Sequence, residues 1–283
     1  MVPLRHALSE VRRNFADVRW WRNVVFIPYV VGTATRYIPS YPGYDQAVSV
    51  MDEDWDNLII LDACRADAFE ALVDLSAFDA YEAVVSQGSH SKEWTKRNFV
   101  GESFGDTVYV SANPHTTLLA DDVFHDLFEV WTEYDIAPNQ IDPSVMIDEA
   151  LRAHDQYPDK RLIVHFMQPH GTGGLVEPRE DVRETYDASI TAVIEYVHDL
   201  IEQLDGKTVI TADHGQLFNH GLKRTVGLTG HPARLRCPGL VYVPWAVVEG
   251  DGTRRPVTVG QTSKNETERA VVEQRLRDLG YHA

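Results

Sequence analysis

Only two cysteines, Cys64 and Cys237, occur in the 283 residues, too few for a disulfide framework. Cys64 stands inside the apolar stretch LIILDACRADAF and reads as a small buried hydrophobe. Lysine is also scarce, at six of 26 basic residues, and basic residues fall well short of the 43 acidic ones. The resulting formal charge of -17 repels nucleic acid and argues against a general nucleic-acid-binding role. The same field opposes anionic membranes and anionic substrates unless a local cation reverses it. An acidic, lysine-poor surface suits solubility in concentrated salt, where screening is nearly complete, so a halophilic source is expected.

The chain also lacks a run of the ~20 apolar residues needed to span a bilayer. NVVFIPYVVGTA is too short for that and contains Pro28. The segment MVPLRHALSEVRRNFADVRW is mixed in charge and has neither the apolar core nor the cleavage site of a signal peptide, so a cytoplasmic location is expected. NVVFIPYVVGTA is expected to pack against the domain. With Trp20, Trp21 and the flanking arginines it could instead rest on a membrane surface, which keeps peripheral membrane contact open. Internal repeats and low-complexity tracts are absent.

What is present is enough for one substantial core: 43% of residues are apolar, in a chain long for one domain and short for two. Residues 1–52 read as a helical, then irregular, extension, and residues 53–283 as the main domain. NLIILD is a continuous apolar run of the kind found in buried parallel strands. YEAVVS, TVYVSANP, RLIVHFM, KTVITADHG and GLVYVPW read as further strands. Helices are expected over 65–75, from Ser91 as N-cap through SKEWTKRNF, over 143–154, over 181–204, and in the tail ETERAVVEQRLRDLGY. This alternation predicts an α/β fold, a three-layer arrangement with a mainly parallel central sheet flanked by helices.

In such sheets ligands bind beyond the carboxyl ends of the strands. Those ends carry Asp62, the Ser89/Ser91 pair, His170, and Asp213 with His214, and His231 follows in a later loop. An Asp at a strand end often only caps a helix, but Asp62, Asp213 and His214 side by side would make a divalent-metal site.

The order of these motifs resembles the alkaline phosphatase and sulfatase superfamily over residues 57–245. NLIILDACRADAF is similar to that family's opening strand with its metal-binding Asp, and TVITADHGQLFNHG to its second metal motif. YDASITAVIEYVHDLIEQL and GHPARLRCPGLVYVPW are similar to the intervening helix and the later Gly-His segment. The resemblance implies an alkaline phosphatase-like catalytic domain over 53–283 acting on a phosphate or sulfate ester. It implies that Asp62, Asp213 and His214 bind Ca, Mg, Mn or Zn, in one site rather than two. It also implies a nucleophile in SQGSHSKEWT, where Ser91 is chosen, then Ser89, then Thr95, because a helix N-terminus favours an anion. His170 and His231 match histidines that contact substrate oxygens or a second metal. The sulfatase Cys-x-Pro/Ala-x-Arg motif is missing, since CRADA has Ala68 where Arg should be. The partner expected is an anionic ester. The alternatives are a non-catalytic member binding an anionic sugar or lipid head group, and a structural protein using the Trp-rich N-terminus.

The salt expectation is open to test by thermal unfolding across salt concentrations. Tm should climb steeply with salt, whereas full stability in dilute buffer would remove the halophilic reading.

Overall fold

The computed structural model describes residues 10–278 except 36, 39, 135, 173, 178–179, 219–228, 251–256 and 264–268. Seven strands form one sheet: β1 (Asn57–Leu61), β2 (Ala80–Val85), β3 (Phe104–Ser111), β4 (Phe124–Glu129), β5 (Arg161–Phe166), β6 (Thr208–Thr211) and β7 (Tyr242–Val248). Their spatial order is β2-β7-β6-β1-β5-β3-β4. The pairs from β6 through β1, β5 and β3 to β4 are parallel, and β7 alone runs antiparallel to both its neighbours. β1 therefore lies in the middle of the sheet, with its Ile60 level with His165 on β5 and Thr211 on β6.

The unbroken apolar run of β1 is explained by cover on both faces. Ile59 and Leu61 enter one core, and Leu58 and Ile60 enter the other, as the two-residue period of a strand requires. The first core takes Phe69 from α1 (Ala66–Leu72), Met146 and Ala150 from α4 (Pro143–Gln156), and Ile190, Val193 and Val197 from α5 (Val182–Ile201). The second takes Trp94 from α2 (Ser91–Asn98) and Ala120 from α3 (Pro114–Ala120), with Phe99, Tyr109 and Phe124 packed edge to face. The three-layer α/β architecture with a mainly parallel sheet is thus the observed one. A last helix, α6 (Arg269–Asp278), falls in the tail read as helical and buries Val272 and Leu276.

Two elements were not anticipated. β4 mixes His125, Asp126 and Glu129 with Phe124, Leu127 and Phe128 at a sheet edge, so no apolar run marks it. α3 begins at Pro114, which reads as a turn signal, yet Asn113 caps it by accepting the His115 N–H. One boundary also moves. The N-cap of α2 is His90, and Ser91 is the first helical residue.

Ahead of β1, a helical segment runs through Val18–Trp20, Trp21–Val31 and Gly32–Thr35, its central part wound more widely than an α-helix and containing Pro28. Among the described residues no helix is long and apolar enough to cross a membrane. The following residues are stitched to the body: the Val48 N–H donates to Val85, and Val50 is buried with its N–H on Asn98. Arg236 completes the seam. Its buried guanidinium donates to the carbonyls of Pro42, Gly43 and Ser86 and lies 4.2 Å from the Tyr44 ring centre. Arg236→Ala strands those carbonyls and should cost about 3 kcal/mol in denaturant unfolding. Arg236→Lys should recover little of it, because an ammonium cannot reproduce the planar fork of donors.

Candidate metal and nucleophile site

Because β1, β3, β5 and β6 are parallel, their carboxyl ends meet along one rim. Asp62 follows β1, Asp213 and His214 follow β6, Asn113 follows β3, and His165 is the penultimate residue of β5. All five are buried, and the first three and His165 have no accessible surface. Asp62, His165 and Asp213 bring one ligand atom each to within 4.8 Å of one another.

The hydrogen bonds determine which atoms are left over. Asp213 accepts the N–H groups of Ala63 and His214 on Oδ1, at 3.0 and 2.8 Å, leaving Oδ2 without a hydrogen-bond partner. Asp62 accepts Asn113 Nδ2 at 2.8 Å and the Ser91 hydroxyl at 3.4 Å on Oδ2, leaving Oδ1 without one. His214 Nδ1 is 2.8 Å from the Gly215 carbonyl, which only accepts, so Nδ1 holds the proton and Nε2 offers a lone pair. That Nε2 lies 3.4 Å from Asp213 Oδ2, 3.8 Å from Asp62 Oδ1 and 3.3 Å from Ser91 Oγ. His165 Nδ1 bonds Tyr109 Oη at 2.9 Å, and its orphaned Nε2 stands 3.9 Å from a carboxylate oxygen of both Asp62 and Asp213.

Two carboxylates buried this close repel each other. Burial first, and then the charge of Asp213, push the Asp62 carboxyl well above the usual carboxylate range. Burial drives the imidazoles of His165 and His214 down to about 4, so both are neutral at ordinary pH. Two acid oxygens and two neutral ring nitrogens facing one space are the donors a divalent cation takes. The residues fit such an ion, and it would offset the repulsion between the carboxylates.

Local structure holds the rim in place. Ala63 adopts φ 63°, which turns the chain after Asp62 so that the Ala63 N–H reaches Asp213. Tyr186 of α5 buttresses that turn, its hydroxyl donating to the Ala63 carbonyl and accepting the Arg65 N–H. Before α2, a Cβ at Gly88 would lie 2.6 Å from the Trp94 backbone nitrogen, so the approach to Ser91 has room only for glycine. Cys64 is fully buried and burial raises its thiol, as a structural cysteine requires.

Of the residues expected from sequence, Asp62, Asp213, His214 and Ser91 converge. Ser89 does not, because its hydroxyl is taken by Glu93 and the Pro232 carbonyl. Thr95 lies buried a turn further along α2, and no described contact joins it to the cluster. His231 packs beside the site, its ring 4.8 Å from His214 and edge to face with His170 at 4.9 Å, with Nδ1 on Gln216. His165 and Asn113 were not singled out. The signal for His165 was an imidazole inside an otherwise apolar buried strand.

No protein-family model matches the chain, and no curated protein matches it in sequence. Solved structures do. The integral membrane protein lipooligosaccharide phosphoethanolamine transferase A (EptA) from Neisseria meningitidis is similar at TM-score 0.55 and 14% identity, over 87% of this chain and 58% of that one. The C-terminal periplasmic domain of phosphoethanolamine transferase EptC from Campylobacter jejuni gives 0.48 and 12%, over 69% and 79%. An alkaline phosphatase superfamily protein from Vibrio parahaemolyticus gives 0.43 and 12%, over 76% and 63%. The chain has the alkaline phosphatase-like fold expected from its sequence, and it spans 58% of the length of the EptA chain.

Calorimetry with and without chelator tests the donor set. A divalent cation at roughly a hundred times its Kd should add about 2.7 kcal/mol of stability. Asp213→Ala should erase that gain. Asp62→Asn should also erase it, yet stabilise the cation-free protein by removing one of two like charges.

Proposed function

We propose that this chain is a metal-dependent transferase or hydrolase of a phosphate ester, a member of the alkaline phosphatase superfamily, with Ser91 as nucleophile. The observation that carries this reading is the Ser91 hydroxyl, buried at the head of α2, 3.4 Å from Asp62 and 3.3 Å from His214. Phosphate is preferred to sulfate for two reasons. The chain has no Cys-x-Pro/Ala-x-Arg sequence, and EptA is by its name a phosphoethanolamine transferase.

Asp62, Asp213, His214 and His165 would hold one divalent cation through the atoms left over above. Bound there, the ion supplies Lewis acidity that lowers the pKa of the serine hydroxyl and withdraws charge from the ester oxygens. Everything else falls to the chain. Asn113 fixes the Asp62 carboxylate, and Asp62 fixes the Ser91 hydroxyl, so the nucleophile is oriented before substrate arrives. The positive end of α2 faces the group that Ser91 attacks. Ser91 Oγ bonds to phosphorus as the bond to the leaving alcohol breaks, and the serine proton ends on that alcohol. Water or an acceptor alcohol then attacks the phosphoserine and restores Ser91.

His170 and His231 flank this position. Burial holds His170 at about 4 and drives His231 well below the usual imidazole range. At neutral pH they therefore serve as hydrogen-bond donors to phosphoryl oxygens rather than as proton donors.

The test is mass spectrometry after incubation with Mn2+ or Zn2+ and the soluble diester bis(p-nitrophenyl) phosphate, quenched in acid. Phosphate ester should be found on Ser91. Ser91→Ala should lose turnover by roughly a thousandfold or more while keeping the cation-dependent rise in Tm. Undiminished turnover, or label on another residue, would overturn the assignment. Cation binding without turnover or label would leave the non-catalytic reading, an anionic sugar or lipid head group bound at the rim.

A further inference from the structure

The helical segment ahead of β1 differs in charge from most of the chain. From Val18 to Tyr44 there are three arginines, at 19, 22 and 36, and no Asp or Glu, in a protein carrying 43 acidic residues. The same stretch holds Trp20, Trp21, Phe26, Tyr29, Tyr37 and Tyr41. One side of it is attached to the body. Ile27 and Thr35 are buried, Val31 packs on the cluster around Leu235 and Leu240, and a Cβ at Gly32 would lie 2.7 Å from the Arg234 carbonyl oxygen. The other side is bare: Val18 is 79% exposed, Phe26 54% and Val30 53%, with Phe15 beside them at 75%.

This segment also walls a cavity of about 560 Å3. Arg22 and Tyr29 line one side and His90, Lys92, His231 and Arg234 the other, with the Arg234 guanidinium 4.8 Å from the Tyr29 ring centre. His231 is the link inward, its ring tilted against that of His214 at 4.8 Å, and His214 touches Ser91. The cavity is therefore next to the nucleophile and lined by cationic and imidazole groups, although the protein as a whole is strongly acidic.

We propose that the helical segment ending at Thr35, with Phe15 before it, forms a monotopic docking element that seats the protein on an anionic bilayer, with Phe15, Val18, Phe26 and Val30 entering the interface and the net positive charge of residues 18–44 drawing it to lipid phosphates. The partner is chosen by charge. A protein of -17 is repelled by an anionic surface except where basic residues stand without acid, as in residues 18–44 and again in residues 214–248, whose Arg234 packs on Tyr29 of the first stretch, so this end is the one that can approach. Trp and Tyr beside Arg on an apolar helix is the composition that lies in the headgroup layer. In concentrated salt the long-range repulsion is screened while the apolar insertion persists. Docking in this way brings the walled cavity, and the histidine rim behind it, to the membrane surface. The docking does not depend on the ester-transfer chemistry, although the placement of the cavity gives that chemistry access to esters borne on lipids.

Vesicle flotation of the full chain tests it, with phosphatidylglycerol vesicles against phosphatidylcholine vesicles. The protein should float with the anionic vesicles and much less with the neutral ones. Phe26→Asp/Val30→Asp, whose altered side chains are outside the cavity, should weaken flotation by roughly tenfold or more at an unchanged Tm. Equal binding of parent and double variant, or no binding by the parent, would overturn the proposal. So would a concentration-dependent dimer abolished by the same substitutions, which would assign the face to a second copy. Turnover of bis(p-nitrophenyl) phosphate, run in parallel without vesicles, reports on the site alone. Its absence beside intact flotation would count against the chemistry and not against the docking.

Discussion

Two carboxylates, Asp62 and Asp213, are buried side by side with no accessible surface, and most of the surrounding structure can be understood as the means of keeping them there. Each has one oxygen satisfied by neighbouring donors and one oxygen left without a hydrogen-bond partner. Such a pair is costly in a low-dielectric interior unless a cation or a shared proton intervenes. The donors that satisfy the outer oxygens come from the turn after β1, the loop after β3 and the end of β6. The sheet itself is what brings them together.

The support is layered outward from that pair. Tyr186 on α5 holds the turn that directs the Ala63 N–H, Tyr109 on β3 holds the His165 ring, and the Gly215 carbonyl sets the His214 tautomer. None of these three groups touches the expected ion, yet each determines which atom faces it. Such an outer arrangement is what a chance gathering of acids lacks.

Much of this was legible in the sequence because parallel strands buried on both faces are written as apolar runs, and a polar residue ending such a run stands out. Asp62 after NLIIL and Asp213-His214 after TVITA are of that kind, and Ser91 was marked by the hydroxyl-rich turn before an amphipathic helix. His165 was hidden for the opposite reason. It lies within the run RLIVHF rather than after it, and a buried imidazole there looks like any core histidine. Asn113 was read as closing a strand, which it does, but its amide also holds Asp62 across 51 positions, a contact no local pattern encodes. β4 was missed because His125, Asp126 and Glu129 break up its apolar residues, leaving no run to read.

The strand order has a consequence for how the chain must fold. β1 is made first, but its partners β5 and β6 begin at Arg161 and Thr208, so the middle of the sheet stays open until most of the polypeptide exists. Pairings of such high sequence separation incur their loop-closure entropy before any contact repays it, which slows the search for the native state. During synthesis this fully buried apolar strand must wait, unpaired, for neighbours not yet made. Whatever shields NLIIL in that interval governs the yield of folded molecules as much as the final contacts do.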